Sequence, residues 1–419
     1  MRLRVRTLPL TKVTFELKRL WRGEGGKSAF FTLQGASDSG MSFASDFIIV
    51  RGIGERTPPT RGTITPKLSC SRADFQQARA REPRPILQFF LRDYEAFRDV
   101  RANCPLGEVV MAGTYPLKAS GALSGVLRVT ADRPPTDTDA WVTQARALCD
   151  HLRSVMGFAS SAMIRAPVEH LWRDEIWTAT VYDQSTHPRT YPQVFHPMSL
   201  QPIFDTAVAS FFDPPRPVRN LPHALEWFCM ATTYNETRLL NVMTALENLV
   251  ESNLPDTDRL ALPAKRFSKV ASDMRAAARG RLAPDGAEPT ATVAAFLEGL
   301  PAKMADLNRR PLLDKILALA VRWDVPMLDL TRQDLEAAIK ARNSVVHRGY
   351  YYDPDAPPPA ERDLWDHVIF LRELFIRFVL AGLGFRGDYL SFRGGEHTMR
   401  FPPELPAAGE PTLASQAPD

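Results

Sequence analysis

The chain is 419 residues long, 44% apolar and 24% charged, the composition of an ordinary globular protein with room for two or three full cores. Its net charge is only +4, from 52 basic and 48 acidic residues, which excludes a global field of the kind that advertises nucleic acid and leaves room for a local basic cleft. Cys70, Cys104, Cys149 and Cys229 are widely scattered with no CxxC pair, so no structural zinc, no cofactor and a reduced, cytoplasmic setting are expected.

The N-terminal residues carry charge throughout, unlike a secretory signal. Alternation and aromatic content predict strands at 13–20, 28–33 and 47–50, parted by Gly-rich turns such as 23–26, then a helix over 86–100. Strands follow at 108–111 and 125–130. Asp137 or Thr138 caps a longer helix through Trp141, Ala145, Leu148, Leu152 and Met156, and two further strands are expected at 162–165 and 176–182. The proline cluster at 212–217 reads as a domain boundary. Beyond it helices are predicted at 221–251, 263–281, 293–307, 312–322, 331–347 and 360–383. The run 368–380 is the most apolar, but Arg372, Glu373 and Arg377 inside it predict a core helix and no membrane span. The fold class is therefore α+β: a β-rich N-terminal sensor or regulatory domain over 1–215, an all-α domain over 216–393 and a disordered Pro-rich tail over 394–419.

The stretch Arg342-Asn-Ser-Val-Val-His-Arg-Gly349 stands out. At ~100° per residue, Leu335, Ala338, Ile339, Val345 and Val346 share one side of the helix, and Arg342 points into that apolar stripe. Asn343 and His347, four apart, lie on its flank. A guanidinium there needs an anion, so it is either a buried ion pair, with Glu247 or Glu236, or an anion site. Thr331 and Asp334 form a capping-box-like start with Leu330 and Leu335 as a staple, and Gly349 supplies the stop. His347 thus sits at a helix end, beside an exposed mouth. Arg362 and His367 repeat the spacing among acids, and read as a solvated helix face.

A ribonuclease working without metal needs a proton carrier and a cation on the phosphate. His347 can be general base or acid, Arg342 the phosphate clamp, and Asn343 either orients the imidazole or binds a phosphate oxygen. Arg348 and Tyr350 can bind the strand, although a tyrosine run is more often a packed loop than a stacking platform.

These residues resemble the signature of the HEPN superfamily: an arginine, a polar residue, apolar positions, then histidine. The earlier helix with Ala245-Leu-Glu-Asn-Leu249 is similar to the family's Ala-Leu-Glu-x-Leu string, and 221–392 as a whole resembles the ApeA-like branch. Long insertions between the Glu247 and Arg342 helices depart from the smallest members. The resemblance implies a homodimer with a composite site, metal-independent RNA cleavage leaving a 2′,3′-cyclic phosphate, tRNA among the targets, and a role in bacterial anti-phage defence, with a phage-derived trigger acting on the N-terminal domain. The alternative class is a non-catalytic nucleotide- or protein-binding module, in which Arg342 holds a partner's phosphate or carboxylate. A third is a nucleotidyl acceptor at residues 350–352.

Overall fold

The computed structural model describes residues 31–37, 40–56, 63–116, 122–184, 191–282, 290–351 and 363–403. The expected strand at 13–20, the turn at 23–26, Tyr352, Arg362 and residues 404–419 lie outside them. The chain is α+β: an antiparallel eight-stranded sheet comes first and a mainly helical region follows. It divides into two compact units, Met1–Arg153 with Ile164–Pro188, and Ser154–Met163 with Arg189–Asp419.

In the first unit the strands are β1 (Phe31–Ala36), β2 (Ser42–Arg56), β3 (Thr63–Cys70), β4 (Arg72–Arg92), β5 (Val100–Cys104), β6 (Gly107–Gly113), β7 (Leu123–Thr130) and β8 (Arg165–Tyr182). The sheet order is β1-β2-β4-β7-β6-β5, with β3 on β2 and β8 on β4. Residues 86–92, expected as a helix, belong to β4 and pair with β7 on one edge and β8 on the other. Leu87, Phe89 and Leu91 are buried and Ile86, Gln88 and Phe90 half-buried, the alternation of a strand, but in sequence Ile86-Leu-Gln-Phe-Phe-Leu91 is a near-continuous apolar run that periodicity alone does not separate from a helix. Of the two strands expected at 162–165 and 176–182, the second lies within β8, while β8 starts only at Arg165 and leaves 162–164 outside any strand.

Helix α1 (Thr138–Ser160) starts where Asp137 Oδ1 accepts from the Ala140 amide at 2.9 Å. Trp141, Ala145, Leu148, Leu152 and Met156 are all buried, as their spacing requires. Within the first unit Trp141 Nε1 donates to the Leu106 carbonyl at 2.9 Å, tying the helix to the β5–β6 turn.

The second unit contains α2 (Gln201–Phe212), α3 (Leu221–Cys229), α4 (Asn235–Asn253), the single turn α5 (Asp256–Arg259), α6 (Ala264–Leu282), α7 (Ala291–Leu307), α8 (Leu312–Arg322), α9 (Arg332–Arg348) and α10 (Leu364–Leu383). The hairpin β9 (Gly387–Ser391) and β10 (His397–Phe401) closes it. Three expectations need correction. The helix over 221–251 is two, α3 and α4; the carbonyls freed at the break accept from side chains, Met230 O from Asn241 Nδ2 at 3.4 Å and Thr232 O from Arg238 Nε at 3.2 Å. The proline cluster is not a boundary but a packed turn inside this unit. Gly384 has φ +72°, and a Cβ there would lie 2.8 Å from Pro215 Cγ. Residues 397–401, placed in the disordered tail, pair with 387–391 because Met399 and Phe401 pack on Tyr389.

Helix α10 is the axis of the second unit, buried nearly all round and packed on α4 and α9. Its charges are absorbed internally. Glu373 accepts from Arg377 Nε at 2.8 Å, from the Tyr389 hydroxyl at 2.5 Å and from Ser391 Oγ at 2.8 Å. Arg377 also donates to Asp329 at 2.8 Å and to the Pro326 carbonyl at 3.0 Å, so one network pins hairpin, loop and helix together. Among the described residues no helix is long and apolar enough to cross a membrane.

Candidate functional site

Helix α9 presents the singled-out residues, and local chemistry sets both of its ends. Thr331 Oγ1 accepts from the Asp334 amide at 3.1 Å, while Leu330 and Leu335 are buried as a staple. The Asp334 carboxylate accepts from Arg393 at 3.0 Å. At the other end Gly349 takes the left-handed conformation, φ 83°, and its amide donates to the Val345 carbonyl at 2.9 Å. Leu335, Ala338, Ala341 and Val345 are the buried side. Val346, expected with them, is 49% exposed: it lies ~100° around the helix from buried Val345, at the edge of the covered arc.

Arg342 lies in line with Leu335, Ala338 and Val345, and finds its counter-ion across the helix interface. Its Nη2 donates to Glu247 Oε1 at 2.9 Å, with both side chains 28% exposed. Glu247, and not Glu236, is therefore the partner. The guanidinium is not sealed in: Nη1 donates to Asn343 Oδ1 at 3.1 Å, bending it toward the flank that carries His347. Burial pushes the Glu247 carboxyl above the usual range; Arg342 opposes that shift, Glu251 adds to it and Lys315 opposes it. One turn along α4, Glu251 takes Lys315 Nζ of α8 at 2.5 Å. Arg342–Glu247 and Lys315–Glu251 are so two adjacent ion pairs, a charge ladder across α9, α4 and α8 with the two carboxylates as neighbours.

Asn343, His347, Arg348 and Tyr350 are exposed. The side chains of His347, Arg348 and Tyr350 make no hydrogen bond or ion pair to a described residue. Tyr351 packs instead: its hydroxyl lies 3.3 Å from His367 Nε2. His367 is 4% exposed, so the expected solvated face is a buried histidine, covered by the turn that follows α9.

Lys315 was not singled out from sequence, although the signal was present: a lysine in Leu312-Leu-Asp-Lys-Ile-Leu-Ala-Leu-Ala320 is a cation among apolar residues, as Arg342 is. Also missed was a cavity of about 640 Å³ in the first unit, lined by Phe43, Arg72, Asp74, Phe75, Arg146 and Thr180 among others. A neighbouring hollow of about 350 Å³ shares Arg72 and Arg146 with it. Buried Glu169 accepts from Arg146 Nε at 2.9 Å and Nη2 at 2.5 Å, while Asp74 accepts from Arg72 Nε at 3.0 Å and is itself held by Thr180 at 2.7 Å. These side chains come from distant strands and one helix, and only pairing brings them together.

No family model, no curated protein and no solved structure matches this chain.

Proposed function

We propose that the chain is a metal-independent endoribonuclease of HEPN type, acting in the cytoplasm in bacterial anti-phage defence, with tRNA among its targets. The observation that carries the reading is a half-buried guanidinium held by Glu247 and inclined toward Asn343, on the helix whose exposed end carries His347. Such a cation is already oriented and still reachable, which suits a phosphate gaining charge.

In this mechanism the RNA 2′-oxygen attacks the adjacent phosphorus and the bond from phosphorus to the 5′-oxygen breaks, leaving a 2′,3′-cyclic phosphate. One imidazole removes the 2′-hydroxyl proton and another group delivers a proton to the departing 5′-oxygen. His347 fills one of these roles, Arg342 clamps the phosphate, Asn343 orients one or the other, and Arg348 and Tyr350 bind the strand beside them. Arg342 and His347 are five residues apart, hence ~140° apart around the helix. A single helix end therefore offers the two groups to different directions, and two facing copies in a homodimer would complete one site. The exposed Val346 and Tyr350 are apolar surface that such a partner copy would cover.

The first unit serves recognition or restraint in this reading. Its cavity lies within the ~300–1,000 Å³ range usual for small-molecule sites and is where a phage-derived trigger would act. The test is cleavage of RNA by purified protein in EDTA, with His347→Ala abolishing it at unchanged circular dichroism. Activity lost on chelation, or retained in the variant, refutes the assignment; a strict monomer by light scattering that still cleaves refutes the composite site. RNA or nucleotide bound tightly without turnover would favour the non-catalytic module.

A further inference from the structure

We infer that helix α6 is a docking surface for the phosphate backbone of RNA; the choice of RNA rests on the ribonuclease reading. In 19 residues α6 carries Lys265, Arg266, Lys269, Arg275, Arg279 and Arg281 against the single acid Asp273, a net charge of +5. The whole chain carries only +4, so the remainder is slightly acidic and the positive field is concentrated on one element. None of the six cations has an ion-pair partner among the described residues; Arg275 donates only to its own helix, at the Ala271 carbonyl. All six are exposed.

Four of the six cations are also gathered on one side of the helix. At ~100° per residue, Lys265, Lys269, Arg275 and Arg279 fall within an arc of about 120°, along a helix ~28 Å long. Phe267, Val270, Ala271, Met274 and Ala278 occupy the opposite side. Part of that apolar side is covered by the neighbouring helix: α6 and α7 pack together, and Ala271 and Met304 are the residues each one buries, while Val270 and Met274 stay exposed. A helix lying on an anionic membrane needs its apolar side free to enter the lipid. Here α7 already occupies part of that side and the charge of Arg281 falls within it, while the four gathered cations lie on the other side. A polyanion running along the helix fits this arrangement better, because phosphate contacts need exposed charge and no apolar insertion.

The base of the two-helix arm is firmly tied. Asn308 accepts from the Leu262 amide at 2.8 Å and donates back to its carbonyl at 3.0 Å, and Arg310 Nε donates to the Leu260 carbonyl at 3.0 Å. From there the chain enters α8, whose Lys315 belongs to the charge ladder that ends on Arg342. A strand held by α6 is thus anchored to the same framework that holds the phosphate clamp.

The experiment compares full-length His347→Ala protein with the same protein carrying Lys265→Gln, Lys269→Gln, Arg275→Gln and Arg279→Gln, folding being checked by circular dichroism. Fluorescence anisotropy with a labelled single-stranded RNA gives Kd as a function of salt. Each phosphate contact contributes ~0.7 to the slope of log affinity on log salt, so four lost contacts flatten it by about 3. Between about 50 and about 200 mM salt the parent then loses roughly 50-fold more affinity than the neutralised variant. An unchanged slope overturns the inference, as does an unchanged slope accompanied by loss of binding to phosphatidylserine vesicles, which would assign the helix to a membrane. If the slope flattens but the wild-type protein cleaves no RNA, the docking surface stands and the ribonuclease reading falls. If the wild type cleaves and the slope is unchanged, the reverse holds.

Discussion

Replacing Glu247 by Gln separates holding a fold from holding a catalytic group. The carboxylate lies 2.9 Å from Arg342 Nη2, and both side chains keep 28% exposure. Pairs this accessible contribute ~0–1 kcal/mol. Against that gain stands the burial of Glu247, the largest influence on its carboxyl, which raises its pKa in spite of Arg342. A carboxyl raised in this way binds its proton more tightly folded than unfolded. Its ionisation therefore costs stability as pH rises through the window just above the ordinary carboxylate value, and the cost persists at neutral pH. The two effects oppose each other, so Glu247→Gln is expected to change stability by no more than about 1 kcal/mol, a shift in Tm of ~2–4 °C. Cleavage should fall about 10- to 100-fold, or ~1.4–2.7 kcal/mol in the barrier, because the guanidinium loses its anchor. Urea unfolding followed by circular dichroism, alongside a cleavage assay at saturating RNA, measures both. Lowering the pH from about 7 to about 5 should stabilise the wild type relative to the variant. Activity falling only in proportion to unfolded protein, or a stability loss above about 3 kcal/mol, would refute the reasoning.

The network on α10 should behave oppositely. Glu373→Ala leaves Arg377, 1% exposed, without its buried partner and strips the acceptor from Tyr389 and Ser391, so a loss of about 3–5 kcal/mol is expected in urea unfolding. A loss below about 1 kcal/mol would mean that Asp329 and Pro326 alone satisfy the guanidinium. Burial pushes the Cys229 thiol up to about 12 and lifts Cys149 well above its ordinary value. At pH ~8 only about one Cys229 in ten thousand is a thiolate, so native alkylation read by mass spectrometry should mark the half-buried Cys70 and Cys104 first. Rapid labelling of Cys229 would contradict the packing of the second unit.

Much of the candidate site was legible because local chemistry decides it. Thr331 and Asp137 cap helices through amides three residues away, and Gly349 ends α9 because a left-handed residue is required there. That Arg342 needed an anion followed from the cost of a cation among Leu335, Ala338 and Val345, whatever the fold. Which anion it found, and that Lys315 and Glu251 extend the pair into a ladder, depended on how α4, α8 and α9 pack. The same holds where expectation failed. Residues 86–92 became a strand because β7 and β8 came to both edges, and His367 was buried because Tyr351 folded over it. Val346 was left exposed although its spacing matches the buried stripe. Capping, turn chemistry and the desolvation of a charge act within a few bonds and are written along the chain. Coverage of a face is decided by segments far away in sequence, and only the tertiary structure assigns them.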